Sequence, residues 1–175
     1  MMRSILLMGT LLASASAMYA QDAAPATTAE SLFHEGEKAY NRGAYPAAID
    51  LFTRTLAQDP DHLNAYLQRG FCHSLQREYE AAVSDFSEVI RRKHDHLWAY
   101  TSRGSAYAKW GKPELAIQDF DTALNLDPRN QEAYNNRGWS KKATGDLAGA
   151  CRDWAASRKM GNAEAKIILQ NNRCK

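Results

Sequence analysis

The sequence predicts an all-α solenoid of four helix-turn-helix units, and three observations carry that expectation. The tract Ala-Tyr-x-x-Arg-Gly is written at 65–70, 99–104 and 133–138, a fixed interval of 34 residues. Around it, apolar residues recur at the helical spacings of three and four. Between the two helical stretches of a unit stands a turn rich in glycine and proline. A fixed period of this size means stacked supersecondary units, each burying its apolar face against its neighbours.

Four columns align at that interval without a gap. Gly36, Gly70, Gly104 and Gly138 form one, and Ala48, Ala82, Ala116 and Ala150 form a second. Phe52, Phe86, Phe120 and Trp154 form the third, and Leu32, Tyr66, Tyr100 and Tyr134 the fourth. Where two antiparallel helices meet, a missing or minimal side chain lets the backbones approach, and large aromatics fill the space beside the contact. In the third unit, Tyr100, Gly104 and Tyr107 mark one face of a first helix. Ala116, Phe120, Ala123 and Leu124 mark one face of a second. Gly111 follows the first helix, where a left-handed cap favours glycine. Pro113 opens the second, where its missing N–H costs nothing. Gly43 with Pro46, and Gly145, repeat the arrangement, whereas Arg77 breaks it in the second unit. Asp59-Pro60 and Asp127-Pro128 end second helices, because proline cannot continue one, and His94 and Asn162 replace that proline elsewhere.

Two further columns are charged. Arg69, Arg103 and Arg137 recur with the period, and so do Asp85, Asp119 and Asp153, each just before the aromatic of its second helix. An Arg–Asp pair between first and second helices follows, either within a unit or from one second helix to the next first helix. The first unit has Glu35 and Leu51 in these columns, a joint absence that favours pairing within the unit.

The chain has 175 residues, 45% hydrophobic and 24% charged, with a formal net charge of +2. So balanced a charge excludes the strong field that nucleic acids or anionic membranes call for. Residues 1–20 have the order of a secretory signal peptide: Arg3, an apolar run from Ile5 to Leu12, then small residues, with cleavage expected after Ala17 or Ala20. The run is far short of the roughly 20 residues that span a bilayer. Residues 21–29, "QDAAPATTA", hold nothing large to bury and read as a flexible spacer. An exported protein, periplasmic or secreted, with no membrane span after cleavage is expected.

Glycine at the eighth position of the unit, alanine at the twentieth, an aromatic at the twenty-fourth and proline at the thirty-second resemble the tetratricopeptide repeat over residues 30–162. The resemblance implies a right-handed superhelix whose first helices line a concave groove for a protein or peptide segment. Carried onto this chain, the family's lining positions are Phe33, Glu37, Tyr40, Leu67, Phe71 and Leu75, then Trp98, Thr101, Ser105, Lys109, Asn135, Trp139 and Lys142. The subfamily that clamps a chaperone's C-terminal carboxylate places Lys and Asn where this chain has Phe33, Glu37, Gln68, Trp98 and Ser102, so that function is not implied. Residues 163–175, with Ala165, Ile168 and Leu169 apolar, resemble the solvating helix that caps such arrays.

Catalytic motifs are lacking: there is no phosphate loop, no His-Glu-x-x-His and no Cys-x-x-Cys. Cys72 and His73 are adjacent on a helix and point about 100° apart, which rules out a nucleophile–base pair. His94-Asp95-His96 is a weak metal-site alternative at an inter-unit turn, where His62 stands in the place of His96 one unit earlier. The expectation is therefore a non-catalytic, cofactor-free interaction module, with a homo-oligomer as the alternative. In an oxidising compartment Cys151 and Cys174 should pair. They lie about ten residues before and twelve after the turn at Gly161-Asn162, at similar height on antiparallel helices, while Cys72 stays free.

Overall fold

The computed structural model describes residues 27–174, so the expected leader lies outside it, as does most of the spacer. Helices α1 (Ala29–Asn41) and α2 (Tyr45–Gln58) form the first pair, α3 (Leu63–Leu75) and α4 (Tyr79–Arg92) the second. Helices α5 (Leu97–Lys109) and α6 (Pro113–Leu126) form the third, α7 (Gln131–Ala143) and α8 (Leu147–Lys159) the fourth, and α9 (Ala165–Asn171) follows. Each helix packs on the next in the chain, which makes a solenoid. The spacer ends earlier than its composition suggests: α1 begins at Ala29, and the Thr28 hydroxyl accepts from the Ser31 N–H as its cap.

The glycine column is a row of contacts with the aromatic column. A Cβ on Gly36 would lie 2.5 Å from the Phe52 ring, and one on Gly138 2.5 Å from the Trp154 indole nitrogen. Gly70 and Gly104 stand in the same relation to Phe86 and Phe120. All four aromatics are fully buried, as are Ala48, Ala82, Ala116 and Ala150. Trp154 alone brings a polar atom into this layer, and its indole N–H donates to the Asn135 carbonyl.

The turns between paired helices need a left-handed residue. Gly43, Gly111 and Gly145 supply it with φ of 74°, 77° and 89°. In the second unit Arg77 adopts φ 63° itself, so the turn is kept with the wrong residue. Histidines start two first helices: Nδ1 of His62 accepts from the Ala65 N–H and Nδ1 of His96 from the Ala99 N–H, each at 3.1 Å. Asn130 does the same for Ala133, so Thr28, His62, His96 and Asn130 form a capping column.

The charged columns pair within each unit. Nε and one Nη of Arg69 donate to both carboxylate oxygens of Asp85, and Arg103 and Arg137 hold Asp119 and Asp153 in the same way. The remaining Nη reaches back to the preceding second helix, to Thr53, Ser87 and Asp121 in turn. Each arginine therefore ties three helices; the Arg and Asp columns pair only within the unit, and the link to the preceding second helix runs to other residues. These hydrogen bonds, the largest influence on Arg103, hold its guanidinium above the usual arginine range against the desolvation of burial.

Helix α9 continues the period. First helices begin at 29, 63, 97, 131 and 165, in steps of 34, although α9 has 7 residues where the others have 13. Cys151 and Cys174 are at disulfide distance, with Cα atoms 5.5 Å apart. Cys174 shares a column with Cys72 and Ala106, and Cys151 with Ile49 and Val83. Ile49 packs with Cys72, and Val83 with Ala106, in two apolar clusters. The cysteine pair thus occupies the contact by which a second helix grips the next first helix.

Candidate functional site

First helices of all four units line a groove enclosing about 490 Å³. Among the expected groove residues, Tyr40, Phe71, Ser105, Lys109 and Trp139 line it, together with Leu75. Leu75 is 50% exposed and Trp139 44%, so both present free apolar surface. The Trp139 ring stands edge-on against buried Trp154, centroids 5.0 Å apart, which fixes its orientation. Polar atoms come from Ser74, Ser102, Ser105 and Asn136, and the charged groups are Lys109 and Glu132, one of each sign. Such a surface offers apolar anchoring and uncharged hydrogen bonding with no net field.

Seven of the expected positions do not line the groove. Phe33 is buried, packed on the Phe52 ring at 5.6 Å and on the His62 ring at 4.5 Å. Leu67 belongs to the apolar core between units. Thr101 is 7% exposed, and its hydroxyl donates to the carbonyls of Leu97 and Trp98. These three share the fifth position, about 60° around the helix from the glycine that faces the second helix, so their side chains turn inward. Asn135 is half-buried; its carbonyl serves Trp154, and its side-chain oxygen is buried without a partner. Glu37 accepts from His34 instead. Trp98, 68% exposed, stands apart from the groove. Lys142 is drawn to the end of the array, donating to Asn172 at 2.5 Å. Ser102, Glu132 and Asn136 were not anticipated as lining. Glu132, Asn136 and Trp139 lie at i, i+4 and i+7, a stripe that could have been extended from Trp139.

The histidine loop does not assemble a metal site. His96 engages its Nδ1 in the cap, and among the described residues no three His, Cys, Asp or Glu side chains converge as ligands. Cys72 is buried away from solvent, and His73 turns to Glu78, with Nδ1 2.6 Å from the carboxylate. No helix among the described residues is long and apolar enough to cross a membrane.

Fold and groove together define an all-α repeat protein whose first helices line one groove. Family models for the tetratricopeptide repeat match residues 33–95 and 97–130, and the chain belongs to that family. A comparison with curated protein sequences finds no match. Among solved structures, MamA from Desulfovibrio magneticus RS-1 is 22% identical, with a TM-score of 0.75 over 79% of this chain and 78% of that one. Another MamA crystal structure is 21% identical, with a TM-score of 0.73 over 79% and 81%. At these identities the likeness is one of fold. The first tetratricopeptide repeat domain of Spaghetti, bound to the HSP90 peptide SRMEEVD, is 29% identical, with a TM-score of 0.63 over 70% of this chain and 94% of that one.

Proposed function

We propose that the chain is a non-catalytic interaction module, exported from the cell interior, whose groove binds a segment of another protein through apolar side chains. The observation that carries this reading is Leu75 of α3 and Trp139 of α7, two large apolar groups left half-exposed in one groove. Exposed rings in a concavity offer large contact area at little entropic cost. The likeness to a domain that binds a peptide supports the class of ligand. It does not carry over the acidic peptide, because the groove's one lysine, Lys109, is balanced by Glu132. The ligand favoured here is a segment with two spaced apolar or aromatic anchors and little net charge. Export is supported by the leader's order of residues and by a cysteine pair at disulfide distance.

The test compares wild type with Leu75→Ser plus Trp139→Ala in capture from an envelope extract, both variants checked for an unchanged helical spectrum. Both side chains are exposed, so their loss should leave folding intact while removing the captured partner. Equal recovery of every captured protein would reject the groove as the binding site.

A further inference from the structure

A second concavity lies between α8 and α9, enclosing about 910 Å³ and sharing no residue with the groove. Cys151 and Cys174 line it together, at disulfide distance. Both are partly open to solvent, whereas Cys72, Ala106 and Ser140, which precede Cys174 in its column, are at most 2% exposed. Four cations line the same concavity: Arg152 and Arg173, each next in sequence to one of the cysteines, with Arg158 and Lys166. Among the described residues no carboxylate lines it, and none of the four cations is in an ion pair.

An open sulfur pair and unpaired cations bear on one reaction. A disulfide is broken by a thiolate, an anion, and the sulfur that leaves does so as a second anion. Cations beside the bond raise the local concentration of an anionic attacker and stabilise the thiolate that departs. Burial denies Cys72 the same access.

We propose that the α8–α9 concavity is a thiol–disulfide exchange site for a small thiol that carries carboxylates. The proposal takes the cysteine pair as bonded, the state expected of an exported chain. The thiolate attacks one sulfur of the bridge. A new S–S bond forms, the Cys151–Cys174 bond breaks, and the other cysteine leaves as a thiolate, taking up the proton that the attacking thiol gave to water. The adduct's carboxylates then lie among Arg152, Arg158, Lys166 and Arg173. A second thiolate attacks the small-molecule sulfur of this mixed disulfide, releasing a small disulfide and the second cysteine. The bridge thereby gains two electrons, and two small thiols lose one each. The structural effect is local: α9, a helix of 7 residues whose one buried residue is Ala165, loses the tie at its far end.

The test uses 3-mercaptopropionate, 2-mercaptoethanol and cysteamine, thiols of similar size whose second group is anionic, neutral and cationic. The protein is purified without reductant, and one reactive thiol after denaturation shows that the bridge is intact. Bridge opening is followed by acid quench and mass spectrometry. Each rate is divided by that of the same thiol on 2-hydroxyethyl disulfide, which removes differences in thiol acidity and nucleophilicity. The expected result is a ratio that falls from the anionic to the neutral to the cationic thiol, spanning about tenfold, and that converges with added salt. In Arg152→Gln plus Arg173→Gln, checked for an unchanged helical spectrum, the three ratios should draw together. Arg158→Gln plus Lys166→Gln, away from the cysteines in sequence, should do the same and serves if the first variant misfolds. Equal ratios in wild type, an order unchanged in both variants, or a bridge that none of the three thiols opens would overturn the proposal. Three reactive thiols in the unreduced, denatured protein would overturn it at its premise, leaving the groove reading standing.

Discussion

Arg103 holds Asp119 with two arms of its guanidinium, Nε to one carboxylate oxygen at 2.8 Å and Nη2 to the other at 2.7 Å. The third arm reaches the Ser87 hydroxyl at 3.0 Å, on the second helix of the preceding unit. Asp119 is 5% exposed, so removing its carboxylate strands a largely buried cation. Asp119→Ala should cost about 2–4 kcal/mol. A double-mutant cycle between Arg103 and Asp119 should give a coupling of about 1–3 kcal/mol, measured by urea unfolding. The rival cycle, Arg137 with Asp119, should give none, since Arg137 donates to Asp153 and Asp121. Coupling in the rival cycle and not in the first would overturn the assignment.

The glycine column predicts a sign. At an exposed helix position Gly→Ala stabilises by about 1 kcal/mol. At Gly138 the new methyl would lie 2.5 Å from the Trp154 indole, which its hydrogen bond to Asn135 keeps from rotating away. Overpacking of about 3 kcal/mol should outweigh the propensity gain, leaving Gly138→Ala about 2 kcal/mol less stable. Thermal melting should show a drop of roughly 5 °C, and a rise would mean that the ring has room to yield.

Columns of one residue type were legible because the same contact recurs at every step: Gly on Phe, or Arg on Asp, needs the same chemistry each time. Columns that share only a hydrogen-bonding role were not. Thr53, Ser87 and Asp121 have in common that each accepts from an arginine, and His62, His96 and Asn130 that each accepts from a helix N–H. Of these six residues only His62 and His96 share a letter. The groove was legible through Tyr40, Phe71, Leu75, Ser105, Lys109 and Trp139; it failed at Glu37, Trp98 and Lys142 and throughout the fifth position. There Phe33, Leu67 and Thr101 sit at the boundary between concave and buried faces, and burial of apolar atoms decides the side.

Arg77 offers a stabilising change. Its φ of 63° is the left-handed conformation that glycine supplies in the other three turns. An L side chain there carries a penalty of about 1–2 kcal/mol, and glycine's extra freedom in the unfolded chain returns part of that. Arg77→Gly should therefore raise stability by about 0.5–1 kcal/mol in a urea titration. A loss of stability would mean that the arginine side chain makes a contact worth more than the strain.

Mild acid should loosen the start of α5. His96 can accept from the Ala99 N–H only while Nδ1 is unprotonated. Burial, with Lys93 nearby, holds the His96 pKa below its ordinary 6.5, against its own backbone contact and Asp95. A base whose folded pKa is lowered stabilises the fold above the unfolded value and loses that contribution as pH falls. The decline therefore begins near pH 6.5, where the unfolded chain gains a proton that the folded one resists. His96→Asn keeps an acceptor of the kind Asn130 provides and does not titrate, so its stability should be flatter than wild type between about pH 7 and 5. Identical slopes would remove His96 from the pH response.

The cysteines make the last prediction, and it tests compartment and architecture together. Cys151 and Cys174 stand at disulfide distance with a sequence separation of 23, while Cys72 is fully buried. Burial pushes the Cys72 thiol up to about 11, so it should be inert in the native protein at neutral pH. Protein purified from its native compartment without reductant should show no reactive thiol when folded and one after denaturation. After reduction and denaturation it should show three. Closing a loop of this length should contribute about 3 kcal/mol on the chain-entropy estimate, read as the stability lost in Cys151→Ser plus Cys174→Ser. That loss should fall on the α8–α9 end, because the bridge replaces the apolar grip that Ile49 has on Cys72 and Val83 on Ala106. Hydrogen exchange should accordingly quicken in α9 and the last turns of α8, leaving α1 to α6 as protected as before. Three reactive thiols in the unreduced, denatured protein would overturn both the bridge and the oxidising compartment it implies.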